Sequence, residues 1–180
     1  MTVQTLTPVS LLEATRILAE SDKDFARILK THGPPPLWDR PPGFATLTRI
    51  ILEQQVSLVS ADAMYRRIQD ALVCVTPATV LAVGADGLRA LGVTRQKSGY
   101  IHKLAEVIQA GSVDLDVLDA QDDGLVIDKL TSIKGIGPWT AGIYLLMALC
   151  RPDAWPPGDI ALMNVPSDGD RDSPDIRCGV

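Results

Sequence analysis

Two stretches of this 180-residue chain carry residues whose types and spacing could do chemistry. The first, "LTSIKGIGPWTAGIYLL" (Leu130–Leu146), breaks an apolar helical stretch with Gly135-Ile136-Gly137 and restarts at once with Pro138-Trp139. The glycines allow positive φ and leave backbone N–H groups uncovered. A helix starting at Pro138 adds its own unsatisfied amides and the positive end of its dipole. Such a concavity suits a phosphate oxygen, held directly or through a monovalent or divalent cation, and Lys134 could add a charge-assisted contact. A plain corner between two helices accounts for the same residues, and Gly-x-Gly alone does not choose between the two. The second stretch, "WPPGDIAL" (Trp155–Leu162), puts Asp159 where it would cap a helix beginning at Ile160. A carboxylate held at a helix mouth, beside a turn that grips phosphate, could also stabilise positive charge developing on a sugar ring.

The elements that must position these residues all carry helical period, and no alternating strand pattern is convincing. Leu11, Leu12, Thr15 and Leu18 mark one amphipathic face, and "SDKDFARILKTHG" reads as a helix capped near Asp22 and ended by Gly33. The run "PPPLWDRPPG" (Pro34–Gly43) cannot be helical and reads as an extended connector. Phe44, Leu47, Ile50 and Ile51 recur at helix spacing, and a further helix runs from Ser57 through Met64, Ile68 and Leu72. Thr76-Pro77 and Thr94 begin two more helices, the second closed by Gly111. Leu125, Ile127, Leu130 and Ile133 form a short helix ahead of the hairpin, and another follows from Pro138 to about Leu149. The fold class is therefore all-α. The stretch 164–180, rich in Asp, Pro, Gly and Ser without an apolar face, reads as a disordered tail.

Composition narrows the classes. With 46% hydrophobic residues the chain can build one compact core. Its apolar runs are broken well before the roughly 20 residues of a membrane span, and no secretory signal pattern is evident, so a soluble, cytoplasmic, monomeric protein is expected. Cys74, Cys150 and Cys178 are odd in number and far apart, which gives no iron–sulfur loop, no metal site and no disulfide framework. His32 and His102 lack partners at metal-ligand spacing. A net charge of −5 argues against a general positive field, so an anionic partner must be gripped by local features.

Four ordered stretches, "ILEQQVSLVSA" (Ile51–Ala61), "LRALGVTRQKSGYIHKLA" (Leu88–Ala105), "IKGIGPWTA" (Ile133–Ala141) and "WPPGDIAL", resemble the helix–hairpin–helix DNA glycosylase superfamily. Within it they are similar to the 3-methyladenine DNA glycosylase II branch. The resemblance implies that Asp159 is the catalytic carboxylate in cleavage of the N-glycosidic bond of a flipped, alkylated purine in duplex DNA. The transition state is oxocarbenium-like, so a nearby anion lowers the barrier and can orient water. Superfamily members that also cut the backbone carry a lysine two residues after the second hairpin glycine. Here that residue is Trp139, which implies hydrolysis without a lyase step.

The resemblance further implies a substrate pocket walled by Trp139, with Tyr144 and Trp155 as further candidates, because an indole face attracts a cationic base. Two glutamines in an apolar run are costly if buried unsatisfied. By resemblance, Gln55 enters the duplex and fills the gap left by the flipped nucleotide, while Gln54 supports the turn; a solvated helix end capped by Ser57 is the alternative reading of the pair. Arg95, Lys97, Lys134, Gly135 and Gly137 are the expected phosphate contacts, with a solvated basic face the alternative for Arg95 and Lys97, and no cofactor is expected beyond a cation bridging the hairpin to DNA.

The resemblance spans roughly Gly43 to Met163, so residues 1–163 are expected to form one domain, with 1–42 as its N-terminal segment and connector. Family members continue past the catalytic aspartate through further helices. The usual C-terminal helices therefore have no counterpart in 164–180, and the apolar faces of the Leu11–Lys30 region and of the helix after Asp159 are expected to lack a partner. A non-catalytic helix–hairpin–helix DNA-binding module is accordingly the alternative to a glycosylase.

Overall fold

Six helix starts among the described residues are set by short polar residues that satisfy the first-turn amides, two of them followed by proline. The structure is a computed structural model and describes residues 4–118 and 120–159. Thr7 accepts from Ser10 N at 3.1 Å and opens α1 (Pro8–Ser21), and Asp22 accepts from Asp24 N at 2.7 Å and opens α2 (Lys23–His32), which Gly33 ends. After α3 (Phe44–Glu53), Ser57 caps α4 (Leu58–Leu72). Thr76 and Thr94 cap α5 (Pro77–Ala90) and α6 (Arg95–Gln109). A single turn, α7 (Leu115–Leu118), precedes α8 (Asp123–Thr131), capped by Asp122, and α9 (Pro138–Met147). Among the described residues there is no strand, as the periodicity requires.

Two features depart from the sequence reading. The helix opened by Thr76 is broken at Gly84, whose φ of 68° and ψ of 176° are not helical, and α7 was not foreseen. The tail expected to be disordered and the helix expected to begin at Ile160 lie outside the described residues.

The apolar stripe of α3 is the centre of the core. Leu47, Ile50, Ile51 and Leu52 are fully buried, and α3 packs against α4, α6 and α9. Ile68, Leu88, Ile101, Leu104, Leu130 and Tyr144 complete the same cluster. The helices α1 and α2 instead pair with each other and bury no residue, leaving Leu18, Phe25 and Ile28 about half exposed. The segments flanking them are tied to the end of α9 by Leu6 N–H to Cys150 O and Arg40 N–H to Met147 O, both 2.7 Å. The apolar face over 11–30 is thus only partly covered among the described residues. No single helix among them is long and apolar enough to cross a membrane.

Candidate functional site

The turn between α8 and α9 is built around a glycine whose position leaves no room for a side chain. Gly135 has φ of +98°, and a Cβ there would overlap the ring of Tyr100 on α6. The turn is closed by Ile136 N–H donating to Ile133 O at 3.0 Å. Gly137 then serves as N-cap of α9 without a side-chain cap bond, and Pro138 takes the first helical position. The first-turn amides and the positive dipole end of α9 are therefore directed at an exposed turn, where an anion would be stabilised.

That turn is fastened from behind. Gln54 Nε2 donates to Gly135 O at 3.0 Å and to Thr140 Oγ1 at 2.9 Å, which joins the end of α3 to both the hairpin and α9. Gln54 thus meets its amide requirement inside the protein, while the next residue, Gln55, is exposed with φ of +56°. A left-handed glutamine is uncommon and is held by its surroundings. The holding group is Lys97, whose Nζ donates to Leu52 O at 2.6 Å and to Gln54 O at 2.7 Å.

This corrects the expected role of Lys97. Its ammonium caps the C-terminal carbonyls of α3, where the helix dipole favours a cation, and is not presented to a phosphate. Burial there pushes its pKa below the ordinary lysine value. Arg95 and Lys134 are exposed and line one groove together, although 39 positions apart in the chain.

Asp159 comes back to the start of α9. The indole Nε1–H of Trp139 donates to Asp159 Oδ2 at 2.9 Å, and both residues are half-buried. The intervening segment is anchored by Arg151, 2% exposed, whose Nη2 donates to Gln121 O at 3.1 Å and whose Nε lies 3.2 Å from Asp123 Oδ1. It then crosses α9 where Gly142 presents no Cβ to Pro156, and Gly158, with φ of +73°, turns the chain into Asp159. Arg151 and Gly142 were not singled out from sequence. A lone arginine after the apolar run "LLMALC" and a glycine inside an apolar helix were the available signals.

The other two aromatic candidates sit elsewhere. Tyr144 is fully buried in the core, its hydroxyl accepting from Gly43 N–H at 2.8 Å, so it cannot wall an open pocket as expected. Trp155 is 71% exposed and packs little against the described residues. Ser57 is an exposed helix cap two residues after Gln55. Among the described residues no group of His, Cys, Asp and Glu is placed to hold a metal ion. The hairpin carbonyls are hard oxygen donors, those of Ile133 and Gly135 already accepting one hydrogen bond each.

The sequence and the fold are similar to those of known proteins. The Bacillus subtilis relative YfjP is 28% identical over 152 residues, covering 80% of this chain and 53% of that protein. The chain thus spans about half the length of that relative. The DNA-3-methyladenine glycosylase 1 of Schizosaccharomyces pombe is 26% identical over 162 residues, covering 86% of this chain and 71% of that protein. The solved structure of a DNA-3-methyladenine glycosidase from Bacillus halodurans superposes with a TM-score of 0.69 at 30% identity, over 90% of this chain and 73% of that one. Residues 48–168 match the family described as HhH-GPD superfamily base excision DNA repair protein. That match contains α4 to α9 and the return of the chain to Trp139, and this protein belongs to the HhH-GPD superfamily.

Proposed function

We propose that the protein is a monofunctional DNA glycosylase that releases alkylated purines such as 3-methyladenine from duplex DNA. The observation that carries the proposal is the 2.9 Å hydrogen bond from Trp139 to Asp159, which sets a carboxylate at the mouth of a helix that opens on an exposed hairpin. The similarity to glycosylases named for 3-methyladenine supports the substrate class.

In this mechanism the amides around Gly135–Gly137 grip a DNA phosphate, and Lys134 and Arg95 add charge on the same side; the hairpin carbonyls would hold a cation there, which would supply further positive charge toward the phosphate. Gln55, already held outward in its left-handed conformation, fills the space of the flipped nucleotide. The damaged base stacks on the Trp139 indole, where a cationic purine gains about 0.5–2 kcal/mol. The C1′–N bond breaks and its electron pair leaves with the base. Positive charge grows on the sugar, opposite the carboxylate of Asp159. Water adds to C1′ and gives its proton to Asp159 or to solvent. An alkylated purine is already cationic and leaves easily, so one well-placed carboxylate suffices. An indole at position 139 cannot form a Schiff base, so the abasic strand is left intact.

The test is release of 3-methyladenine from methylated duplex DNA by the purified chain, beside Asp159→Asn. Release by the native chain that vanishes in the variant supports the proposal. Tight duplex binding with no release by either identifies a DNA-binding module without catalysis.

A further inference from the structure

The helix α6 carries a feature that neither packing nor the hairpin explains. Gly99 sits in its middle and is exposed, and a Cβ there would meet nothing within 4 Å. A glycine inside a helix costs stability relative to alanine, so a glycine with no neighbour to accommodate is unexplained by the folded chain itself. What it leaves is a notch, one turn after Arg95 and one turn before Lys103. The notch opens on a groove of about 620 Å3, with Lys134 of the hairpin segment on its rim. The groove is fixed to the hairpin by Tyr100, whose ring packs on Gly135 and whose hydroxyl accepts from Gln96 at 2.7 Å.

Its charge is mostly positive, with Arg95, Lys103 and Lys134 set against the single carboxylate of Glu106. Among the described residues neither Arg95 nor Lys134 has an ion-pair partner. Lys103 pairs with Glu106 at 3.0 Å, and His102 Nδ1 lies 3.5 Å from the same carboxylate. Both residues of the Lys103 pair are about half exposed, where such a pair is weak and exchangeable.

We propose that this groove is a second DNA-phosphate site. The strand gripped at Gly135–Gly137 continues over Gly99, a phosphate sits between Arg95, Lys103 and Lys134, and Lys103 exchanges Glu106 for that phosphate when DNA binds. The absent side chain at 99 lets the sugar–phosphate chain approach the helix surface. The proposal rests on the DNA-repair reading but concerns affinity for undamaged duplex, so it is tested without base release.

The experiment measures duplex affinity over a salt series for the native chain, Lys103→Gln, Gly99→Glu and Glu106→Gln, with circular dichroism to confirm folding. Each phosphate contact contributes about 0.9 to the slope of log K against log salt, so Lys103→Gln lowers that slope by about one. Gly99→Glu weakens binding about tenfold or more, and Glu106→Gln tightens it a few-fold. Unchanged affinity and slope in both Lys103→Gln and Gly99→Glu overturn the site, as does a native chain that binds no duplex. Base release with unchanged slopes leaves the glycosylase reading standing and removes only the groove; altered slopes without base release do the reverse.

Discussion

Gly142 and Pro156 are in direct contact: a Cβ on residue 142 would lie 2.9 Å from Pro156 Cα and 3.4 Å from its nitrogen. The segment that delivers Asp159 crosses α9 at this point, one helical turn beyond Trp139. The missing methyl therefore sets the distance between carboxylate and indole. Gly142→Ala must push that backbone outward, at about 1–3 kcal/mol of overpacking. A displacement approaching 1 Å at the reacting group costs about 100-fold in rate. Single-turnover base release by Gly142→Ala is expected to fall about 10- to 100-fold while duplex affinity is kept. An unchanged rate would show that the crossing does not set the catalytic geometry.

Trp139→Phe keeps an aromatic face and removes only the Nε1–H that holds Asp159. Hydrogen bonds to charged groups contribute about 1.5–3 kcal/mol, so the rate of base release should drop about 10- to 100-fold. Trp139→Ala removes the stacking face as well and should be slower still. Equal rates for native chain and Trp139→Phe would remove the indole N–H from the mechanism.

Lys97 and Arg95 lie two residues apart and are expected to behave oppositely. Lys97→Met leaves the carbonyls of Leu52 and Gln54 without their donor, costing about 1–3 kcal/mol of stability, yet should leave the salt slope of duplex binding unchanged. Arg95→Gln should leave stability nearly unchanged and lower that slope by about one. Burial also lowers the Lys97 pKa from the ordinary 10.5, so the unfolded chain binds the extra proton between the lowered value and 10.5. Over that alkaline window this group makes stability rise with pH, and the rise should be absent in Lys97→Met when melting is followed against pH.

The two hairpin glycines separate folding from binding. Gly135→Ala forces a positive φ on alanine and drives its methyl into Tyr100, so a loss of at least about 1–3 kcal/mol is expected in thermal melts. Gly137 has φ of −94° and space for a methyl. Gly137→Ala should fold within about 0.5 kcal/mol of the native chain. It should still weaken duplex binding several-fold, because the methyl stands where a phosphate must approach the α9 amides. Unimpaired binding by Gly137→Ala would place the phosphate elsewhere.

The sequence by itself determined what depends on three or four neighbouring residues. Asp22, Ser57, Thr76 and Thr94 each cap a helix through an amide two or three positions on, and Gly33 ends one, so much of the helical array was readable from polar residues ahead of apolar periodicity. The Gly135–Gly137 turn with Pro138 behind it was readable for the same reason, and Asp159 stood out by its Pro-Pro-Gly approach. Only the tertiary structure decided which distant groups meet. Gln54 finds partners 81 and 86 positions away, Lys97 turns inward to carbonyls more than 40 positions away, and the Tyr144 hydroxyl accepts from Gly43 N–H inside the core instead of lining a pocket. A lysine at a helix start looks alike in sequence whether it faces solvent or a neighbouring helix end. Its direction is fixed by packing α6 against α3, which leaves the last carbonyls of α3 in need of a donor. Gly142 is of the same kind: a missing methyl acquires meaning only when another segment of chain crosses over it.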